Sequence, residues 1–181
     1  MKRLTILVLL AAAGTLLLAG ATLERLSLDE MIAKSTMVVR GKVTDSWAAM
    51  TNSVIYTHYK IQVSESFKGA GRGSVEIMVP GGEVNGLRQA FSGSPVLTKG
   101  DEFVFFLWTS KAGITWITGL TQGLFSLPKD GSADPMATRA PTRELMLDPS
   151  TARPVKDAAL SMRLSELGAR VRAQSAQGGG Q

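Results

Sequence analysis

Few residues in this chain could do chemistry, and His58 is the first to weigh because it is the only histidine among 181 residues. An imidazole titrates near neutrality and serves as a general base or a metal ligand. A zinc site draws three or four ligands from His, Cys and acidic side chains, yet the chain has no cysteine and no second histidine. A nucleophile–base pair would need a serine beside His58 and a carboxylate to orient it. A serine such as Ser53, Ser64 or Ser66 would be the candidate; Ser64 shares strand parity with His58, but six residues of extended chain span about 20 Å, which leaves serines of other strands as the open alternative. His58 therefore reads as an outward residue of a strand, with no catalytic or metal role.

The acidic residues offer little more. Asp45, Glu76, Glu83 and the pair Asp101-Glu102 could in principle supply two carboxylates for glycoside hydrolysis, but they fall at strand ends and turns, where solvated carboxylates are ordinary. "DGSAD" (130–134) opens like a calcium loop, lacks the later glutamate and flanking helices, and reads as a turn. "GAGRGS" and "PGGEVNG" are glycine-rich without opening a helix, and no G-K-[ST] follows, so they read as hairpin or bulge connections and not as phosphate cradles. No cofactor is called for. Of the three tryptophans, Trp108 continues an apolar run and reads as packing. Trp47, at a strand end among polar residues, is the better candidate for an exposed aromatic contact. The expected binding surface is the outward face of the 54–66 strand, Tyr56, His58 and Lys60, with Trp47 nearby.

The elements that would position these residues begin after a leader. Lys2 and Arg3 precede an apolar run from Leu4 to Leu18, and Ala19-Gly20-Ala21 supplies a small-x-small cleavage pattern, so residues 1–21 read as a signal peptide. The alternative is an uncleaved N-terminal anchor, since about 20 apolar residues can span a bilayer. No cysteine follows "LAG", which excludes a lipid-anchored leader. Losing Lys2 and Arg3 takes the 20 basic residues to 18 against 15 acidic, a net charge of +3 in place of +5. These charges are scattered, unlike the concentrated basic face of a nucleic-acid binder. The expected partner is a protein or an envelope component, with no nucleic acid and no stable membrane insertion after cleavage. Without disulfides, an exported chain must rely on an ordinary core.

"LSLDEMIAKST" (26–36) predicts a short helix, with Ser27 as N-cap and Glu30 three residues on. "TMVVRGKVTDSW" (36–47) alternates Met37, Val39, Gly41 and Val43 inward against Val38, Arg40, Lys42 and Thr44 outward, and Gly41 mid-strand predicts a bend or a close backbone approach. In "VIYTHYKIQVSESFKG", Ile55, Tyr59, Ile61, Val63 and Phe67 share one parity and Tyr56, His58, Lys60 and Gln62 the other. "SVEIMVPGG" (74–82) is a third strand, and Asn85-Gly86 predicts a hairpin. In "KGDEFVFFLWTS" (99–110) neither face is polar, so both should be covered. "GITWITG" (113–119) and "QGLFSL" (122–127) follow as short strands. Five of the seven prolines fall between 128 and 154, predicting a loop-rich connection at 128–152 with one short hairpin. Leu160, Leu164, Leu167 and Val171 then make a single apolar stripe, predicting a helix over 153–173, with Pro154 in its first turn, that covers the 103–108 strand. Residues 174–181 are expected to be a disordered tail.

The order of "STMVVRGKV", "YTHYKIQVSESFKG", "VEIMVPGG" and "KGDEFVFFL" resembles a group of exported bacterial proteins. More distantly, it is similar to the netrin-like module of the tissue inhibitors of metalloproteinases, an OB-type five-stranded barrel with flanking helices. The resemblance covers residues 26–127 and implies a mostly β fold, a small antiparallel barrel over 22–127 with a short N-terminal and an amphipathic C-terminal helix. It does not carry over protease inhibition: those inhibitors place an N-terminal cysteine on the target's zinc, and this chain has none. The expected role is a non-enzymatic binding or interaction module. The alternatives are an envelope hydrolase using loop-supplied serine or carboxylate residues, or an accessory of a secreted protease.

Overall fold

The computed structural model describes residues 22–71 and 73–178, so the leader lies outside the described residues. The fold is mostly β. In chain order it contains β1 (Thr22–Glu24), α1 (Leu28–Lys34), β2 (Met37–Thr51), β3 (Val54–Lys68), β4 (Ser74–Pro80), β5 (Gly82–Val84) and β6 (Leu87–Gln89). After these come β7 (Glu102–Thr109), β8 (Thr115–Ile117), a 3-10 turn, β9 (Leu124–Ser126), β10 (Met136–Arg139), β11 (Leu145–Leu147), β12 (Pro154–Val155), β13 (Leu160–Arg163) and α2 (Leu164–Gly178).

Strands β7, β2, β3, β4 and β8 pair in that order, and β8 pairs back to β7, so the five close into a ring; it is not the wholly antiparallel sheet expected, because β4 meets β8 in a parallel bridge at Met78 and Trp116. Each ring strand sends residues into one interior cluster: Val39 and Val43 from β2, Tyr59 and Ile61 from β3, Ile77 and Val79 from β4, Phe105 and Leu107 from β7, and Ile117 from β8. Leu97, from the connection between β6 and β7, joins that cluster, and its N–H donates to the Tyr59 hydroxyl at 3.2 Å. Beyond β7 the sheet continues through β9 and β10 to β13.

The second cluster lies on the opposite face of β7. Val104, Phe106 and Phe125 meet Met31 and Ile32 of α1 and Leu164, Leu167 and Val171 of α2. The two-sided coverage expected for the 103–108 strand is thus present, one face inside the ring and the other under the helices. It ends at Trp108, which is 40% exposed and not packed as the sequence reading had it. Trp108 shares the helix-side parity of Phe106 but lies past the cover. The same cover reaches Val38, placed outward by simple alternation and fully buried in fact.

α1 has the predicted capping box, Ser27 accepting from the Glu30 N–H while the Glu30 carboxylate accepts from the Ser27 N–H. The Asn85-Gly86 hairpin is β5–β6. The predicted 153–173 helix begins only at Leu164, because Leu160–Arg163 pair antiparallel with β10 and Pro154-Val155 pair with β11. Its N-terminus is held from a distance: Asp134 accepts from the Ser165 N–H and hydroxyl at 2.8 Å each. The helix also runs through 174–178, where a disordered tail was expected. Gln174 donates to the Asp29 carbonyl at 2.8 Å and Arg170 forks onto the Asp29 carboxylate, which ties this end to α1. The region 128–152 is more than a connection, since β10 lies within the main sheet and β11 pairs parallel with β1. Its one hairpin is β11–β12, whose second strand falls beyond 152.

Gly41 marks the close approach expected of it, and a register irregularity lies beside it. A Cβ there would meet the Ile61 side chain at 2.6 Å and the Gln62 carbonyl oxygen at 2.9 Å, and the β2–β3 register shifts between Arg40 and Gly41. Backbone cannot give way as a side-chain tip can, so Gly41→Ala is expected to destabilise the fold by about 1–3 kcal/mol. The urea midpoint of the variant measures it, and an unchanged midpoint would show that β3 yields.

Candidate functional site

The outward face of the ring carries one continuous aromatic belt, and two local devices put it there. The first is a β-bulge. By simple alternation Trp47 would share the inward parity of Val43, but the register shifts between Val43 and Asp45, leaving Thr44 as an extra residue. A bulge reverses parity beyond it, so Trp47 comes to the outer face directly opposite His58. Their rings stack with centroids 5.2 Å apart and planes 9° from parallel. The second device is the turn between β7 and β8, which sets Trp108 opposite Trp116, stacked at 6.4 Å and 22°.

Cross-strand register joins the two pairs. His58 lies opposite Met78, and Met78 opposite Trp116. Residues directly opposite one another project to the same side of a sheet, so Trp47, His58, Met78, Trp116 and Trp108 form one row across five strands. Tyr56, two residues from His58 on the same face, reaches over β4 to meet the Trp116 ring edge-on at 5.7 Å. At the β7 end, Trp108 lines a cleft of about 390 Å³ with Leu23, Leu26, Lys34 and Leu120. All three tryptophans of the chain belong to the belt.

A charged row borders it, with Lys60 opposite Asp45 on one side and Glu76 on the other. His58 Nδ1 sits 2.9 Å from Glu76 Oε1, and the His58 side chain is only 18% exposed. It is therefore held between an indole face and a carboxylate, where the sequence had placed it with the solvated residues of its strand. The four residues expected to form a binding surface, Trp47, Tyr56, His58 and Lys60, all lie on this one face. Met78, Trp108 and Trp116 extend it and were not foreseen. The available signal was the spacing of Trp108 and Trp116, which sets them opposite one another in a hairpin centred on Ala112.

Apart from Glu76, which contacts His58, several of the residues weighed for catalysis are engaged elsewhere. Ser64 donates to the Arg40 carbonyl at 3.3 Å and Ser66 to the Gly69 carbonyl at 3.0 Å. Glu102 pairs with Arg40 at 2.6 Å and Asp101 with Lys129 at 3.1 Å. Asp130 closes its own turn by accepting from the Ser132 N–H. Among the described residues no three His, Asp or Glu side chains gather where a metal ion could be held, and no helix is long and apolar enough to cross a membrane. No protein-family model and no curated protein matches the chain.

Proposed function

We propose that this chain is an exported, non-enzymatic interaction module that docks a protein or envelope component through the aromatic belt. The observation that carries this reading is the gathering of every tryptophan in the chain, with Tyr56, His58 and Met78, on a single outward row. Aromatic residues and Met are the types enriched in recognition surfaces, and Trp and Tyr dominate their binding energy. The mixed charges at the belt's border, Lys60 between Asp45 and Glu76, favour a partner without strong net charge over a polyanion such as nucleic acid.

The scaffold in this reading is an OB-type barrel akin to the netrin-like module. Its support is a closed five-strand ring with a helix on either side of the strand sequence, arising from the same sequence order that resembles that module. The basic–apolar–small-residue leader supports export, and a surface rich in aromatic side chains suits a stable extracellular or envelope contact.

The test is crosslinked capture from the native envelope and culture fluid with the full chain, beside a Trp47→Ala/Tyr56→Ala/Trp116→Ala variant whose fold is checked by circular dichroism. Each anchor contributes about 2 kcal/mol, roughly 30-fold in Kd, so the partner recovered with the native chain should be lost with the variant. Equal recovery by both chains places the contact elsewhere and overturns the reading.

A further inference from the structure

The long hairpin of β2 and β3 leaves one strand edge open. β2 pairs with β3 along its whole length, but with β7 only from Met37 to Lys42. Val43 is covered as well, its N–H donating to the Asp101 carbonyl and its carbonyl accepting from Gly100. From Ser46 to Met50 that side of β2 has no partner strand among the described residues. Antiparallel pairs alternate between those that exchange hydrogen bonds and those that do not. Thr51 and Val54 close a two-residue turn and are of the bonded kind, with Asn52 and Ser53 both at positive φ. Met50, Ala48 and Ser46 are then of the other kind, so their N–H and C=O groups point away from β3, toward the open edge.

Folded proteins usually blunt such an edge with lysine, proline or a covering segment. This one reads Ser46-Trp47-Ala48-Ala49-Met50, without charge or proline, and Trp47 and Met50 are 42% and 47% exposed. β5 touches the inner face of β2 near Ala48 but pairs only with β6.

We propose that this edge is a dimer interface in which β2 pairs antiparallel with β2 of a second copy, about a two-fold axis at Ala48. The edge is self-complementary in one register. Centring on Ala48 sets Ala48 against Ala48 of the second copy and Ser46 against Met50, so the outward backbone groups from Ser46 to Met50 pair in on the order of six hydrogen bonds, two of which form only when each Ser46 N–H leaves the Asp45 carboxylate it donates to at 2.9 Å. A shift by one step in either direction loses a third of them. In the same register the bulky Trp47 falls opposite the small Ala49, with no steric conflict on the outer face. The charged residue of β2 next to this edge, Asp45, falls opposite Thr51, and the two Asp45 carboxylates lie about 20 Å apart, beyond the screening length at physiological salt. A parallel arrangement would set them side by side. The dimer also joins the two aromatic belts end to end, since Trp47 is the terminal member of each.

The absence of cysteine from the chain permits a direct test of register. Hydrogen-bonded antiparallel partners have Cα atoms about 5.5 Å apart, within the range a disulfide spans. A full chain carrying both Ser46→Cys and Met50→Cys should form a covalent dimer under mild oxidation. Neither single variant should, because each new thiol would sit about 14 Å from its own copy. Light scattering after gel filtration should give the native chain at twice the monomer mass at about 50 μM and the Ala48→Pro chain at the monomer mass. Proline removes one outward N–H at a position an edge strand tolerates. If Ala48→Pro does not fold, the cysteine series decides alone. A monomeric native chain, a dimer that persists in folded Ala48→Pro, or equal crosslinking of single and double variants would each overturn the proposal.

Discussion

Asp157→Ala is expected to destabilise the fold by about 3–5 kcal/mol, read as a lower urea midpoint at constant slope. Asp157 and Arg139 form an ion pair at 2.6 Å with side chains 2% and 3% exposed. The guanidinium has little else: Nη2 also donates to the Ala158 carbonyl at 3.0 Å, while Nε and Nη1 have no hydrogen-bond partner. Burial pushes Arg139 below its ordinary pKa, and the Asp157 carboxylate opposes that shift. Removing the carboxylate strands a charge that cannot neutralise, because arginine stays protonated across the usable pH range. It also orphans the Thr142 N–H, which donates to the other carboxylate oxygen at 2.9 Å. The Arg139→Met/Asp157→Leu double variant should recover most of the loss, since replacing both members of a buried pair by apolar residues is close to neutral. An Asp157→Ala chain within 1 kcal/mol of the native one would show that water or a shifted loop compensates.

Phe106→Ala is expected to cost a comparable amount, about 3–5 kcal/mol. The side chain is fully buried, packs against the Phe125 ring at 5.6 Å between centroids, and joins the ring to both helices through one cluster. Its loss leaves a cavity among elements held by separate restraints, α1 by its capping box and α2 by Asp134, so collapse around it is limited. Trp108→Ala, two residues along the same face, is the internal comparison. Trp108 lies beyond the helical cover, and its truncation should cost under about 1 kcal/mol while weakening binding through the belt. Equal stability losses at the two positions would mean that Trp108 is packed after all.

The contrast between Phe106 and Trp108 shows how far strand patterning can be read from this chain. Both are aromatic, both lie on one face of one apolar strand, and the run itself says only that both faces of that strand meet apolar surface. Where the cover stops depends on the docking of α1 and α2, which no residue within the run encodes. Parity fails at bulges for a similar reason. Phe67 shares its parity with Tyr59 and Ile61, yet it packs under the helices while they fill the ring. The register shifts twice along that part of the hairpin, once beside Gly41 and once between Val38 and Val39.

The sequence by itself determined the local pieces: the capped N-terminal helix, the ring strands, the Asn85-Gly86 hairpin and the apolar stripe of the last helix. In each, the signal is a spacing or turn residue acting over a few positions. Strand parity also put Tyr56, His58 and Lys60 on one face. Tertiary structure alone decided the rest. It ended the covered face before Trp108 and carried the Leu160–Arg163 segment into a strand with β10 against its helical spacing. It tied the helix start to Asp134 and turned Trp47 outward beside His58 through the Thr44 bulge. These outcomes depend on partners distant along the chain, whose pairing and burial outweigh local preference.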